Sequence, residues 1–347
     1  MKTGLVFDKR FALHQMGEDH LESPLRIIAL NELLQTRLKS GFTIIEPRLA
    51  TKEEITLIHL PDYVDFLEQT KGLDSYLSFD PDTIAGPHTY EIACLAAGAG
   101  LVAADLILSK ELDNAFALIR PPGHHAESHR PMGFCFFNNI AITAEYLRRQ
   151  KSVKKILIVD WDLHHGNGTQ KAFYSTPEVL YISVHQSPLF PGTGLASEAG
   201  EKEGAGFNLN LPLSPGKTDK DYLYLFQRII EPVAGSFQPD FVLVSAGFDV
   251  MKYDPLGKME LSAKGCGDIS QVLVEIARSW ASNRLIVFLE GGYNLKELQN
   301  GVAEVCFRLN GTKCQELPEP LCPPGLSEEI KPVLKIFHRY WSEAALG

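Results

Sequence analysis

Five short apolar runs in this chain do not alternate with polar residues: 115–119, 156–159, 179–184, 241–245 and 285–289. A strand with one wet face alternates, whereas a strand covered on both faces of a parallel sheet does not. These runs are rich in Val, Ile, Leu and Phe, as such strands are. Segments of helical character separate them, at 140–149, 219–231, 262–280 and 295–309. Strand and helix in alternation predict an α/β fold with a doubly wound, mostly parallel sheet. Further helices are expected at 23–39, 52–60, 62–70 and 88–109, ahead of the first strand. Residues 315–325 carry four prolines and predict a surface crossing before a last helix near 327–341. No linker, charge block or repeat divides the chain, so a single domain over 1–347 is expected.

Composition narrows the function classes. With 45% hydrophobic and 22% charged residues the chain is globular rather than disordered. A net charge of −10, from 33 basic and 43 acidic residues, argues against a nucleic-acid partner, which needs a basic footprint. No run of about 18 apolar residues stands out, and no membrane contact is expected. The first residues, MKTGLVFDKR, lack the apolar stretch of a signal peptide. The six cysteines, at 94, 135, 266, 306, 314 and 322, show no close pairing. They read as reduced thiols, hence a cytoplasmic location.

The chemistry follows the strands. The first run leads into Arg120-Pro-Pro-Gly-His124-His125, and the second into Asp160-Trp-Asp162-Leu-His164-His165-Gly. After the third come His185 and the loop 187–194; the fourth leads to Ala246-Gly-Phe-Asp249, and the fifth to Glu290-Gly-Gly-Tyr293. Ligands of a parallel sheet bind at the carboxyl ends of its strands, so these groups gather on one rim. In an extended segment Asp162 and His164, two residues apart, point the same way. With Asp249 they offer two carboxylates and an imidazole, the open three-ligand set of a catalytic Zn²⁺ that Fe²⁺ or Co²⁺ could also occupy. The adjacent His124 and His125 suit a general base and its acidic or electrostatic partner, with Asp160 and Asn167 as candidates to orient them. Tyr293 is placed to donate to a developing oxyanion. The set describes hydrolysis of an amide; no phosphate-cradling loop and no G-x-S-x-G elbow is present.

R-P-P-G-H-H-A, G-F-C-F-F-N-N, V-D-W-D-L-H-H-G-N-G-T, F-P-G-T-G and E-G-G-Y-N together resemble the zinc-dependent histone deacetylase superfamily, over about 19–310. That group includes bacterial deacetylase-like amidohydrolases and acetylpolyamine amidohydrolases; F-P-G-T-G and Asn167 are closer to its class II branch. The resemblance implies an arginase/deacetylase-like three-layer fold with about eight sheet strands. It also implies Zn²⁺ held by Asp162, His164 and Asp249, with His124 and His125 as tandem catalytic histidines and His125 as the main base. Asp160 and Asn167 would assist them, and Tyr293 would polarise the scissile carbonyl. Substrate contacts would come from Phe134 and Phe190, the walls of a tunnel for an acyl-lysine stem, from Gly133, Gly292 and Leu256, and from Asp82 at the rim. Asp80 is two residues from Asp82, and capping of a following helix explains either. Arg26 matches an arginine at an internal product channel. Structural K⁺ or Na⁺ would sit at Asp160, Asp162, His164, Ser183 and Val184, and at Phe173, Thr176, Val179 and Phe207.

The expected activity is therefore removal of acetyl or other acyl groups from lysine side chains of proteins or peptides. A small acetylated amine such as an acetylpolyamine is the alternative substrate, although polyamine enzymes carry Glu where this gate loop has Leu256. A catalytically silent acyl-lysine binder is the alternative outside enzymes.

Overall fold

Runs of Val, Ile, Leu and Phe that cannot tolerate water on either face become the interior of one sheet. The structure, a computed structural model, describes residues 1–312 and 315–341; the Cys314 reading lies outside them. The strands are β1 (Thr3–Val6), β2 (Thr43–Ile45), β3 (Leu77–Ser78), β4 (Ile84–Ala85), β5 (Asn114–Ala117), β6 (Ile156–Asp160), β7 (Val179–Gln186), β8 (Asn208–Leu213), β9 (Phe241–Ala246) and β10 (Leu285–Leu289). Eight of them form a wholly parallel sheet in the order β2-β1-β5-β10-β9-β6-β7-β8, while β3 and β4 make a separate antiparallel hairpin.

The order explains the site. From β5 the chain jumps to β6 and runs outward through β7 to β8, leaving a gap that β9 and β10 return to fill. The central neighbours β5, β10, β9 and β6 therefore carry the four richest post-strand segments side by side. All residues of β5, β6, β9 and β10 are buried. Cover comes from α4 (Thr89–Leu108) packed on α5 (Asn139–Lys151), and from α9 (Ala263–Trp280) packed on α10 (Leu295–Leu309). Local chemistry sets these helix starts. Asn138 caps α5 by accepting from the Ala141 N–H, and Ser262 and Asn294 do the same for α9 and α10.

Several boundaries differ from the sequence expectation. Three sheet strands escape the apolar-run pattern: β1 and β2 are four and three residues long, and β8 alternates Asn with Leu because its asparagines face a buried polar network. His185 lies inside β7 rather than after it. The helix expected over 219–231 is α7 (Asp219–Leu225), then a wide π-type turn at Phe226–Ile230, then α8 (Glu231–Phe237). Pro232 cannot supply the N–H that an unbroken α-helix needs there. Among the described residues one helix, α4, is long and apolar enough to cross a membrane, contrary to the reading of the sequence. Most of it is buried among α5, β5 and β1, as a core helix is.

Candidate active site

The segments that leave β6 and β9 turn three ligand atoms toward one point. His164 Nδ1 lies 3.2 Å from both Asp162 Oδ1 and Asp249 Oδ2. Among the described residues, this trio offers one atom each within 4.8 Å of one another. The remaining oxygens are committed elsewhere, Asp162 Oδ2 to the Gly291 N–H and Asp249 Oδ1 to the Leu163 N–H. Asp249 Oδ2 is buried without a hydrogen-bond donor from the protein. A buried carboxylate oxygen without a donor is costly, and burial together with the charge of Asp162 pushes the Asp249 carboxyl up to about 7. The donor set, two carboxylates and one imidazole, fits a divalent cation such as Zn²⁺. Gly291 must be glycine here, since a Cβ would strike the Asp162 and Asp249 carboxylates.

The two histidines after β5 stand beside this point, their rings 4.0 Å apart. His124 Nδ1 is 3.0 Å from Asp160 Oδ2, and His125 Nδ1 is 2.8 Å from Asn167 Oδ1. The same arrangement of partners gives the rings opposite characters. Burial disfavours a charged His124, but the carboxylates of Asp160, Asp162 and Glu290 outweigh it and raise its pKa to about 10. Burial and the charges of His124 and His164 push His125 well below the ordinary range. One imidazole is held as a cation and its neighbour as a neutral ring.

Above them lies a pocket of about 510 Å³ whose lining includes Phe134, Phe190, Leu256, Tyr293 and Gly133. Phe134 packs edge-on against Tyr293 and Phe190 edge-on against His125, with centroids 5.9 and 5.1 Å apart. Burial and the nearby Asp249 charge raise the Tyr293 phenol well above its usual range, so it remains a donor. Both Asp80 and Asp82 line the rim, and neither caps a helix: they sit in the turn between β3 and β4. Asp80 accepts from the N–H groups of Asp82 and Thr83 and so builds the turn. Gly292 does not line the pocket; its carbonyl accepts from Arg26 Nε at 2.8 Å. Arg26 is fully buried between Glu22, Glu290 and Tyr293.

Asp160 and Ser183 are register partners on β6 and β7, with Val184 following. Phe173 and Thr176 bracket the turn after α6 (Asn167–Phe173), and the Phe207 carbonyl already accepts from the Tyr181 N–H. Sequence reasoning missed four buried supports. Glu290 accepts from the N–H groups of Gly123 and His124, Glu22 pairs with Arg120 and Arg26, Asp254 accepts from the Tyr293 N–H, and Glu127 accepts from Asn167. Each is a carboxylate within or near a motif but in no ligand spacing, which leaves little mark on a single sequence.

The fold that carries these residues is shared with known proteins. A family model, the histone deacetylase domain, matches residues 20–309. The chain belongs to the histone deacetylase family. A probable deacetylase of Archaeoglobus fulgidus is 39% identical over 98% of this chain and 99% of its own length. Histone deacetylase 15 of Arabidopsis thaliana is 38% identical over 99% of this chain, which spans 64% of that protein. The chain spans 52% of clr3, a histone deacetylase of Schizosaccharomyces pombe that is 36% identical to it. The crystal structure of the HDA15 HD domain superposes with a TM-score of 0.92, at 37% identity over 99% of this chain and 96% of that one. The deacetylase-like α/β fold expected from the motifs is thus the fold observed, and family membership makes the chain a deacetylase of the hydrolase class.

Proposed function

We propose that this protein is a zinc-dependent amidohydrolase that removes acyl groups from lysine side chains of proteins or peptides. One observation carries the reading. The Asp162–His164–Asp249 trio lies at the foot of an apolar pocket beside a neutral imidazole and a phenol. Asp162, His164 and Asp249 would hold the cation, which supplies Lewis acidity toward an amide carbonyl and makes water more acidic.

This chain's own residues do the rest. Phe134 and Phe190 bury the lysine stem, each methylene contributing about 0.8 kcal/mol. His125, neutral, takes the proton of the attacking water. His124, held as a cation by Asp160, stabilises negative charge and gives its proton to the leaving amine, and the proton taken by His125 recharges it. Tyr293 donates to the oxyanion as it forms. K⁺ or Na⁺ at the strand ends and a cytoplasmic location belong to the same proposal. The test is a comparison of rates on acetyl-lysine peptides, longer acyl-lysine peptides and acetylpolyamines. The proposal expects the peptides to be turned over faster; a clear preference for acetylpolyamines would overturn the substrate assignment.

A further inference from the structure

We propose that Glu127 is a positioning residue that locks the Asn167 amide in one orientation and thereby sets which ring nitrogen of His125 carries the proton. The inference rests on the reading of His125 as the base. An asparagine amide has an accepting and a donating end of nearly equal size, so its orientation is decided by neighbours. Here Nδ2 faces three groups that can only accept: Glu127 Oε1 at 2.8 Å, the His125 carbonyl at 3.4 Å and the weakly accepting Met132 Sδ at 3.5 Å. Turning the amide would set its oxygen against the Glu127 carboxylate. Oδ1 must then face His125 Nδ1 at 2.8 Å, which makes that nitrogen the N–H. The lone pair is left on Nε2, as a base requires.

Glu127 is itself held. It is buried, and its carboxylate accepts from Lys171 Nζ at 2.6 Å and from Arg130 Nε and Nη2 at 3.2 Å each. Burial opposes its charge, but these two cations keep its pKa below the ordinary value. Arg130 also lines the pocket. The chain of contacts thus runs from the rim, through Glu127 and Asn167, to the base.

The experiment compares Glu127 variants in two backgrounds on an acetyl-lysine peptide. Glu127→Met keeps the reach of the side chain but removes the acceptor. It is expected to lower kcat by about 10–100-fold, the size found for groups that orient a functional histidine, with KM little changed. Glu127→Gln retains an accepting oxygen and is expected to recover most of that loss. In the Asn167→Asp background both ends of residue 167 accept, so turning it changes nothing. There Glu127→Met is expected not to lower kcat, because it also removes carboxylate–carboxylate repulsion. Ring-nitrogen NMR of the ¹⁵N-histidine-labelled enzyme as purified, with His125 assigned by His125→Asn, reads the tautomer directly. The N–H should move from Nδ1 to Nε2 in Glu127→Met. An equal fractional loss in both backgrounds with Nδ1–H unchanged would overturn the proposal. If His125→Ala retained kcat, the base assignment would fall instead, and the tautomer measurement would still decide the role of Glu127.

Discussion

The guanidinium carbon of Arg26 lies 5.3 Å from the centroid of the Tyr293 ring, and the same group donates to the backbone carbonyls of Gly292 and Glu290. A residue early in the chain therefore holds the segment after β10 from behind. The Arg26 side chain is fully buried, with Glu22 as its ionic partner.

Arg26→Met should consequently lower both stability and turnover. Each buried carbonyl left without its donor costs about 1–3 kcal/mol, and Tyr293 loses its backing. Urea denaturation and kcat on an acetyl-lysine peptide check this. A variant as stable and as fast as the parent would detach Arg26 from the site.

Tyr293→Phe separates the phenol's chemistry from its packing. Removing one oxyanion donor should lower kcat by about 10²–10³-fold. The melting temperature and metal content should change little, because the ring still packs on Phe134. Near-full kcat in this variant would leave carbonyl activation to the cation and the histidine pair.

Much of this site was legible in the sequence because its residues follow strands. Asp162 and His164 are two apart, Asp249 follows β9 and Tyr293 follows β10, so an apolar run marks where each one stands. What was not legible depends on chain order in space. That β9 and β10 fill the gap between β5 and β6 cannot be read from run lengths, and it is this crossover that brings Asp249 against Asp162. Alternation also misled: β8 puts Asn208 and Asn210 into a buried polar network with Gln170, where a continuous apolar run was sought. Capping of a following helix was open to Asp82 and Asp80 beside the rim reading, but the hairpin β3–β4 intervenes before α4.

Leu256 lines the pocket mouth and offers nothing to an ammonium group. Leu256→Glu should raise activity on acetylspermidine relative to an acetyl-lysine peptide by about one to two powers of ten. An unchanged ratio would mean that selectivity is set elsewhere on the rim.

His14 and His59 should make stability fall as pH drops below 6.5, against the opposite pull of His124 and Asp249, whose raised values favour the folded chain on acidification. Burial, aided for His14 by Arg120, lowers His14 to about 3, although its Nε2 lies 3.6 Å from Glu22; burial lowers His59 to about 4. Both fold as neutral rings, so the unfolded chain binds more protons once pH drops below the unperturbed 6.5. Their contribution is complete above that pH and is lost as pH falls toward 4 and 3, at up to about 1.4 kcal/mol per pH unit for each ring. Glu22 adds a loss below 4.5, since Arg120 and Arg26 overcome its burial and hold it at about 2. Urea unfolding from pH 8 to pH 5 measures the slope, and His59→Gln should flatten it. The same slope in His59→Gln and the parent would contradict the burial of a neutral His59.

Acetate release from an acetyl-lysine peptide by chelator-treated enzyme, before and after addition of one equivalent of Zn²⁺, tests the central claim most directly. Release should stop on chelation and return with Zn²⁺, and Asp249→Ala should bind no stoichiometric metal and stay inactive in both states. Full release by metal-free enzyme would contradict the account.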